Sequence, residues 1–152
     1  AGADSRRPMV SVESDVITTV LAPTPRMIIA GIGPFAEALA AQAALLNWKV
    51  VVEARPDAVA GLAATLSSAD AIVVMGHEVE KSSGCLMAAL ASEAGYVGAL
   101  GSHSMQQSRA DWLAYRDVVD LSRVHGPAGL DIGAKSPQEV AVAIAAEAIA
   151  TI

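Results

Sequence analysis

The sequence predicts an α/β fold, a doubly wound parallel sheet of about five strands with helices on both faces. Three observations predict it. Short apolar runs at Arg26 to Ala30, Trp48 to Glu53, Ala69 to Met75 and Tyr96 to Leu100 alternate with longer helix-forming stretches, the rhythm of βαβ crossovers. The run Arg26 to Ala30 is apolar rather than alternating with polar residues, as a central parallel strand covered on both faces is. The same run leads straight into Gly31-Ile32-Gly33-Pro34-Phe35-Ala36, a glycine turn that opens a helix. A strand, such a turn and a helix in that order make the fold Rossmann-like.

The elements follow in chain order. Residues 1–25 form a lead-in and extended linker, and residues 26–152 the nucleotide-binding domain. Ala1 to Pro8 is polar and lacks the apolar core of a secretory signal, and Met9 is the expected natural start. Edge strands are expected around Val10 to Val12 and Val16 to Leu21, before Pro23 and Pro25 force an extended connector. A helix is expected from Pro34, whose missing N–H costs least in a first turn, to Leu46. The next helix is expected over Pro56 to Leu66, and a third over Cys85 to Glu93. Ser104-Met105-Gln106-Gln107 has the spacing of a capping box and starts a helix to about Arg116. A short fifth strand is expected at Arg123 to His125, and Gly126 to Gly133 must be loop. Ser136-Pro137-Gln138-Glu139 is a second capping box with proline at the first helical position. The helix it opens is apolar on nearly every side apart from Glu147 and Thr151, so it is either covered by a neighbouring element or part of a homodimer interface.

Composition removes several classes of function. The 152 residues are 53% hydrophobic and 17% charged with a net charge of −6, ample for one core and without the basic footprint that nucleic acid or anionic lipid requires. No apolar run approaches the roughly 20 residues of a membrane span. The one cysteine, Cys85, has no partner for a disulfide or a zinc site, which fits a cytoplasmic protein without a structural metal. No H-E-x-x-H, C-x-x-C, P-loop or G-x-S-x-G pattern occurs.

The chemistry that remains centres on Gly31, Ile32, Gly33, Pro34, Phe35 and Ala36, which fit the dinucleotide pattern G-x-G-x-x-A. The first glycine makes the turn, the second admits a pyrophosphate, and Ala36 permits close packing of helix on strand. Glu53 closes the second strand 20 positions past Gly33, where a carboxylate accepts hydrogen bonds from a ribose 2′-OH. Arg55 suits a 2′-phosphate instead, so NAD and NADP both stay open. Pro34 withdraws one amide from the phosphate-facing turn. His77 and Glu78 follow the third strand of the parallel sheet, at the end that faces the ligand crevice, and are candidates for acid–base work. His125 and Asp131 are weaker candidates that would converge on the same crevice, with Asp131 alternatively satisfying loop amides. Cys85, expected at the start of a helix, is either an activated thiol or a small buried hydrophobe. His103 sits in a polar loop.

Several segments together resemble the C-terminal Rossmann domain of the XdhC/CoxI proteins. They are Leu21-Ala22-Pro23-Thr24-Pro25-Arg26, the turn Gly31 to Ala36, Glu53-Ala54-Arg55-Pro56, Tyr96-Val97-Gly98-Ala99-Leu100-Gly101-Ser102, and Val124 to Gly133 with Ser136-Pro137-Gln138-Glu139. The resemblance implies an accessory protein for molybdenum hydroxylases of the xanthine or carbon monoxide dehydrogenase type. Such a protein takes part in handling the molybdenum cofactor, working with the hydroxylase and a sulfur-supplying protein. Two departures limit what carries over. The N-terminal domain in which such proteins often hold a cysteine-containing motif has no counterpart in these residues, and the basic cluster that often follows the Gly-Ser after the fourth strand is replaced by His103-Ser104-Met105-Gln106-Gln107. Two other classes fit the residues, a small NAD(P)-linked oxidoreductase and a degenerate Rossmann module that serves protein association.

Overall fold

The structure, a computed structural model, describes residues 8–152. It opens with an antiparallel hairpin, β1 (Met9–Glu13) and β2 (Val16–Val20), turned at Ser14, whose φ of 54° is left-handed. Among the described residues the hairpin pairs with no other strand, and Val10, Val12, Val16 and Ile17 are exposed.

The main domain then runs β3 (Arg26–Ala30), α1 (Pro34–Leu45), β4 (Lys49–Glu53), α2 (Pro56–Ala63), β5 (Ala71–Val74), α3 (Val79–Ala91), β6 (Tyr96–Ala99), α4 (His103–Ala114), β7 (Val124–His125) and α5 (Pro137–Thr151). The five strands are parallel in the order β4-β3-β5-β6-β7, as expected of a doubly wound sheet. The chain leaves β3 over α1 for β4 on one side, then returns over α2 to β5 on the other. Succession therefore reverses between β3 and β5, and the carboxyl ends of these two strands flank the crevice that such a reversal opens.

Alternation along each strand sorts two cores. Met27, Ile29, Val73 and Tyr96 pack with Leu39 and Ala43 of α1 and Ile144 and Ala148 of α5. Ile28, Ile72 and Val97 face Val59 of α2, Leu86 of α3 and Leu113 of α4. Strand β4 lies at the sheet edge, and its Val51 and Val52 remain exposed.

The apolar C-terminal helix finds its cover within the chain. Ala141, Ala143, Ile144, Ala145 and Ala148 are buried, chiefly against α1, with β6 beneath. Both halves of its capping box form, since Ser136 Oγ accepts from Glu139 N at 3.1 Å and Glu139 Oε1 accepts from Ser136 N at 3.0 Å.

Two helix starts differ from the expectation. Helix α3 begins at Val79 rather than Cys85, because Ser82 and Ser83, which read as loop residues by propensity, are buried in its first turns. The Ser82 hydroxyl accepts a hydrogen bond from Arg109 Nε at 3.0 Å, a tertiary contact that propensity cannot register. Helix α4 is capped by Ser102, whose Oγ accepts from Met105 N at 3.2 Å, not by Ser104. The preceding Gly101, at φ +150°, brings Ser102 into the extended conformation a cap requires. Among the described residues no helix is long and apolar enough to cross a membrane.

Candidate functional site: the crevice between β3 and β5

The glycine turn after β3 meets the turn after β5 at close quarters. A Cβ on Gly31 would lie 3.2 Å from Met75 C and 3.3 Å from the Gly76 amide nitrogen, and Gly31 has φ +153°, so both space and backbone call for glycine. Gly33 differs: its φ is +110°, yet a Cβ there would meet nothing within 4 Å. Its open side is free for a ligand to approach the backbone. Gly33 also caps α1, its carbonyl accepting from Glu37 N at 2.9 Å. That leaves the Phe35 and Ala36 amides as first-turn donors, and Pro34 offers none.

Two clefts open on either side of Ile32, which is 73% exposed. One, of about 340 Å³, is lined by Pro34, Phe35, His77, Leu100, Gly101 and Ser102 among others. The second, of about 410 Å³, is lined by Gly31, Ala54, Arg55, Glu78, Lys81 and Cys85 among others. Volumes of this size belong to small-molecule sites.

Glu53 stands at the end of β4 beside the second cleft. Its Oε1 accepts from Ala54 N at 3.1 Å, Arg55 N at 3.0 Å and Arg55 Nε at 2.9 Å, whereas Oε2 takes only Arg55 Nη2 at 3.1 Å. The Arg55 guanidinium, joined by the Arg55 and Ala54 amides, holds the carboxyl down at about 2. Glu53 is thus ionised, and Oε2 keeps a lone pair for a hydroxyl donor. The Arg55 side chain is 80% exposed and, among the described residues, bonded to Glu53 alone.

The remaining candidates divide. His77 and Glu78 follow β5 at the crevice, both exposed, with Glu78 3.6 Å from Lys81 Nζ. Neither His125 nor Asp131 lines either of these two clefts. His125 instead stacks on the Tyr96 ring, centroids 4.8 Å apart, with Nδ1 3.4 Å from Glu147 Oε1. The cause is register: His125 pairs with Gly98, and the ring of Tyr96, two residues back on the same face, crosses the space that glycine leaves. Asp131 is exposed and takes none of the loop amides; Glu147 does so, accepting from Gly129 N at 3.0 Å and from Tyr96 Oη at 2.7 Å. Cys85 lies within α3, 3% exposed, and burial pushes its thiol pKa up, the opposite of what an activated thiol needs. His103 is exposed in the first turn of α4.

Sequence reasoning missed Arg109. Its side chain is 1% exposed, and its Nη1 and Nη2 donate to Leu100 O at 2.8 Å and Gly76 O at 2.9 Å, directly behind the first cleft. An arginine in a polar helical stretch carries no local sign of burial. Among the described residues, no group of three or more His, Cys, Asp or Glu side chains gathers as a metal site.

Residues 27–148 match the family model of the XdhC Rossmann domain. No curated protein matches the chain. Among solved structures, that of a xanthine dehydrogenase from Bacillus halodurans is similar, with a TM-score of 0.71 and 25% sequence identity over 90% of this chain. The match takes in 45% of that protein's chain, so the present chain corresponds to less than half of its length.

Proposed function

The chain belongs to the XdhC family through its Rossmann domain, and from that premise we propose that it is an accessory protein of a molybdenum hydroxylase that binds a nucleotide or pterin cofactor in the crevice between β3 and β5. The observation that carries the binding role is the open side of Gly33, whose φ is +110° and where no protein atom lies within 4 Å of the place a side chain would take, between Ile32 and Pro34, which line the first cleft. Residues Gly31 to Ala36 would hold the phosphates through the turn and the Phe35 and Ala36 amides, and Glu53 Oε2 would accept from a ribose hydroxyl. The similarity to the Bacillus protein supports a client of the xanthine dehydrogenase type. Handling of the molybdenum cofactor, with a sulfur-supplying partner, is the activity that joins a cofactor crevice to such a client.

Thermal-shift measurements with NAD, NADP, AMP, FAD and molybdopterin test the reading, because a ligand that binds the folded state raises its apparent stability. A rise with one of these ligands, lost in Gly33→Asp, is expected. The absence of a rise with any of them would refute a cofactor crevice. Co-purification with a hydroxylase subunit tests the accessory role separately.

A further inference from the structure

Arg109 is a buried cation whose three partners among the described residues are all neutral: Ser82 Oγ, Leu100 O and Gly76 O. Burial of a charge without a carboxylate is costly, and a guanidinium keeps its proton regardless. Three of its five N–H groups are placed by these acceptors, and they reach the ends of two neighbouring strands at once.

The orientation of the two carbonyls has a geometric consequence. The Gly76–His77 and Leu100–Gly101 peptides are trans, and in a planar trans peptide the N–H points opposite to the C=O. Because Arg109 draws the carbonyls of Gly76 and Leu100 inward, the amides of His77 and Gly101 are directed away from it. Those four residues line the cleft of about 340 Å³. Neither amide donates to a protein acceptor among the described residues. Two backbone N–H groups without a protein acceptor among the described residues, each on a peptide whose carbonyl is bonded to a buried cation, thus belong to residues that line one cavity. This is the arrangement that stabilises an oxyanion.

We propose that the His77 and Gly101 amides, backed by Arg109, form a second anion site that takes a phosphoryl oxygen of the bound ligand on the wall of the crevice opposite the glycine turn. It rests on the reading of the crevice as a cofactor site, and it adds the place where a further phosphoryl group is gripped. It also explains how the chain manages without exposed basic residues between Ser102 and Arg109. The charge is supplied from beneath, through the backbone, by a residue that does not touch the ligand and acts as a positioning group.

The test is titration of the ¹⁵N-labelled full chain with inorganic pyrophosphate at constant ionic strength, followed by amide chemical shifts. The His77 and Gly101 resonances should move the most and along a single binding curve. Arg109→Gln should weaken that curve about tenfold or more, the scale of losing a hydrogen-bonding charge, and Arg109→Lys should recover part of it. Shifts confined to residues 32–36 would overturn this inference while leaving the glycine-turn reading intact. No shift at either wall would overturn it as well, as would a folded Arg109→Gln that binds like the parent chain. Should Arg109→Gln fail to fold, the shift map of the unsubstituted chain decides alone.

Discussion

Replacing Glu147 by alanine removes one acceptor and strands two donors. Glu147 Oε1 accepts from Tyr96 Oη at 2.7 Å and from Gly129 N at 3.0 Å, with 16% of its side chain exposed. Tyr96 is 1% exposed, so its hydroxyl is shielded from bulk water. An orphaned buried donor costs about 1–3 kcal/mol. Taking the Tyr96 hydroxyl at the middle of that range and the better-solvated Gly129 amide at its lower end, Glu147→Ala should lose about 3 kcal/mol. For a domain of this size, that lowers Tm by roughly 6–12 °C. Glu147→Gln keeps an acceptor oxygen and should lose only about 1 kcal/mol, the difference between a charged and a neutral acceptor. Tyr96→Phe removes the donor itself, so the double variant Tyr96→Phe/Glu147→Ala should cost less than the two singles summed, by about 1–2 kcal/mol. Urea unfolding followed by circular dichroism measures all four. Additive single effects, or a Glu147→Ala within about 0.5 kcal/mol of the parent, would refute the assignment of Glu147 as the clasp between α5, β6 and the Gly129 loop.

Two further outcomes follow from buried groups elsewhere. Asp70, 3% exposed, accepts from Arg26 N, Arg26 Nε and Nη2, Ser67 N and Ser67 Oγ. Burial acts to raise its pKa, but hydrogen bonds from the Ser67 amide and from Arg26 outweigh it, and the net shift is downward. A carboxyl lowered on folding stabilises the protein above its unfolded pKa, about 4, and that stability is lost as pH falls through the folded value. Asp70→Asn should therefore cost about 1.5–3 kcal/mol at neutral pH, the scale of hydrogen bonds to a charged group, with the half-exposed Arg26 adding little through charge alone, and flatten the stability profile below pH about 4, as read by urea midpoints across pH; an unchanged acid limb would count against the clamp. Cys85 should react with a thiol reagent at neutral pH only as fast as the domain opens, with a rate that follows denaturant; labelling as fast as an unfolded peptide would contradict its burial.

The family resemblance was legible because it resides in local signals. Gly31, Gly33 and Pro34 declare a strand-turn-helix through their own φ preferences. Ser136 and Glu139 cap α5 through atoms three residues apart, and the β-branched runs mark the strands. Other features depend on partners distant in sequence. The start of α3 was obscured because Ser82 is ordered by Arg109, 27 residues later. His125 was drawn away from the crevice by Tyr96 and Glu147, and Asp131 was left in solvent because Glu147 reached the loop amide first.

By itself, then, the sequence determined the parallel α/β architecture, the crevice turn and the family, since each is written in short-range periodicity and turn chemistry. Only the tertiary structure decided which faces the helices cover, that Ala141, Ile144 and Ala148 of the C-terminal helix are buried within the chain, and that a buried guanidinium holds the carbonyls of Gly76 and Leu100. Those arrangements arise from side chains and carbonyls brought together across the sheet, where spacing along the chain carries no record of distance.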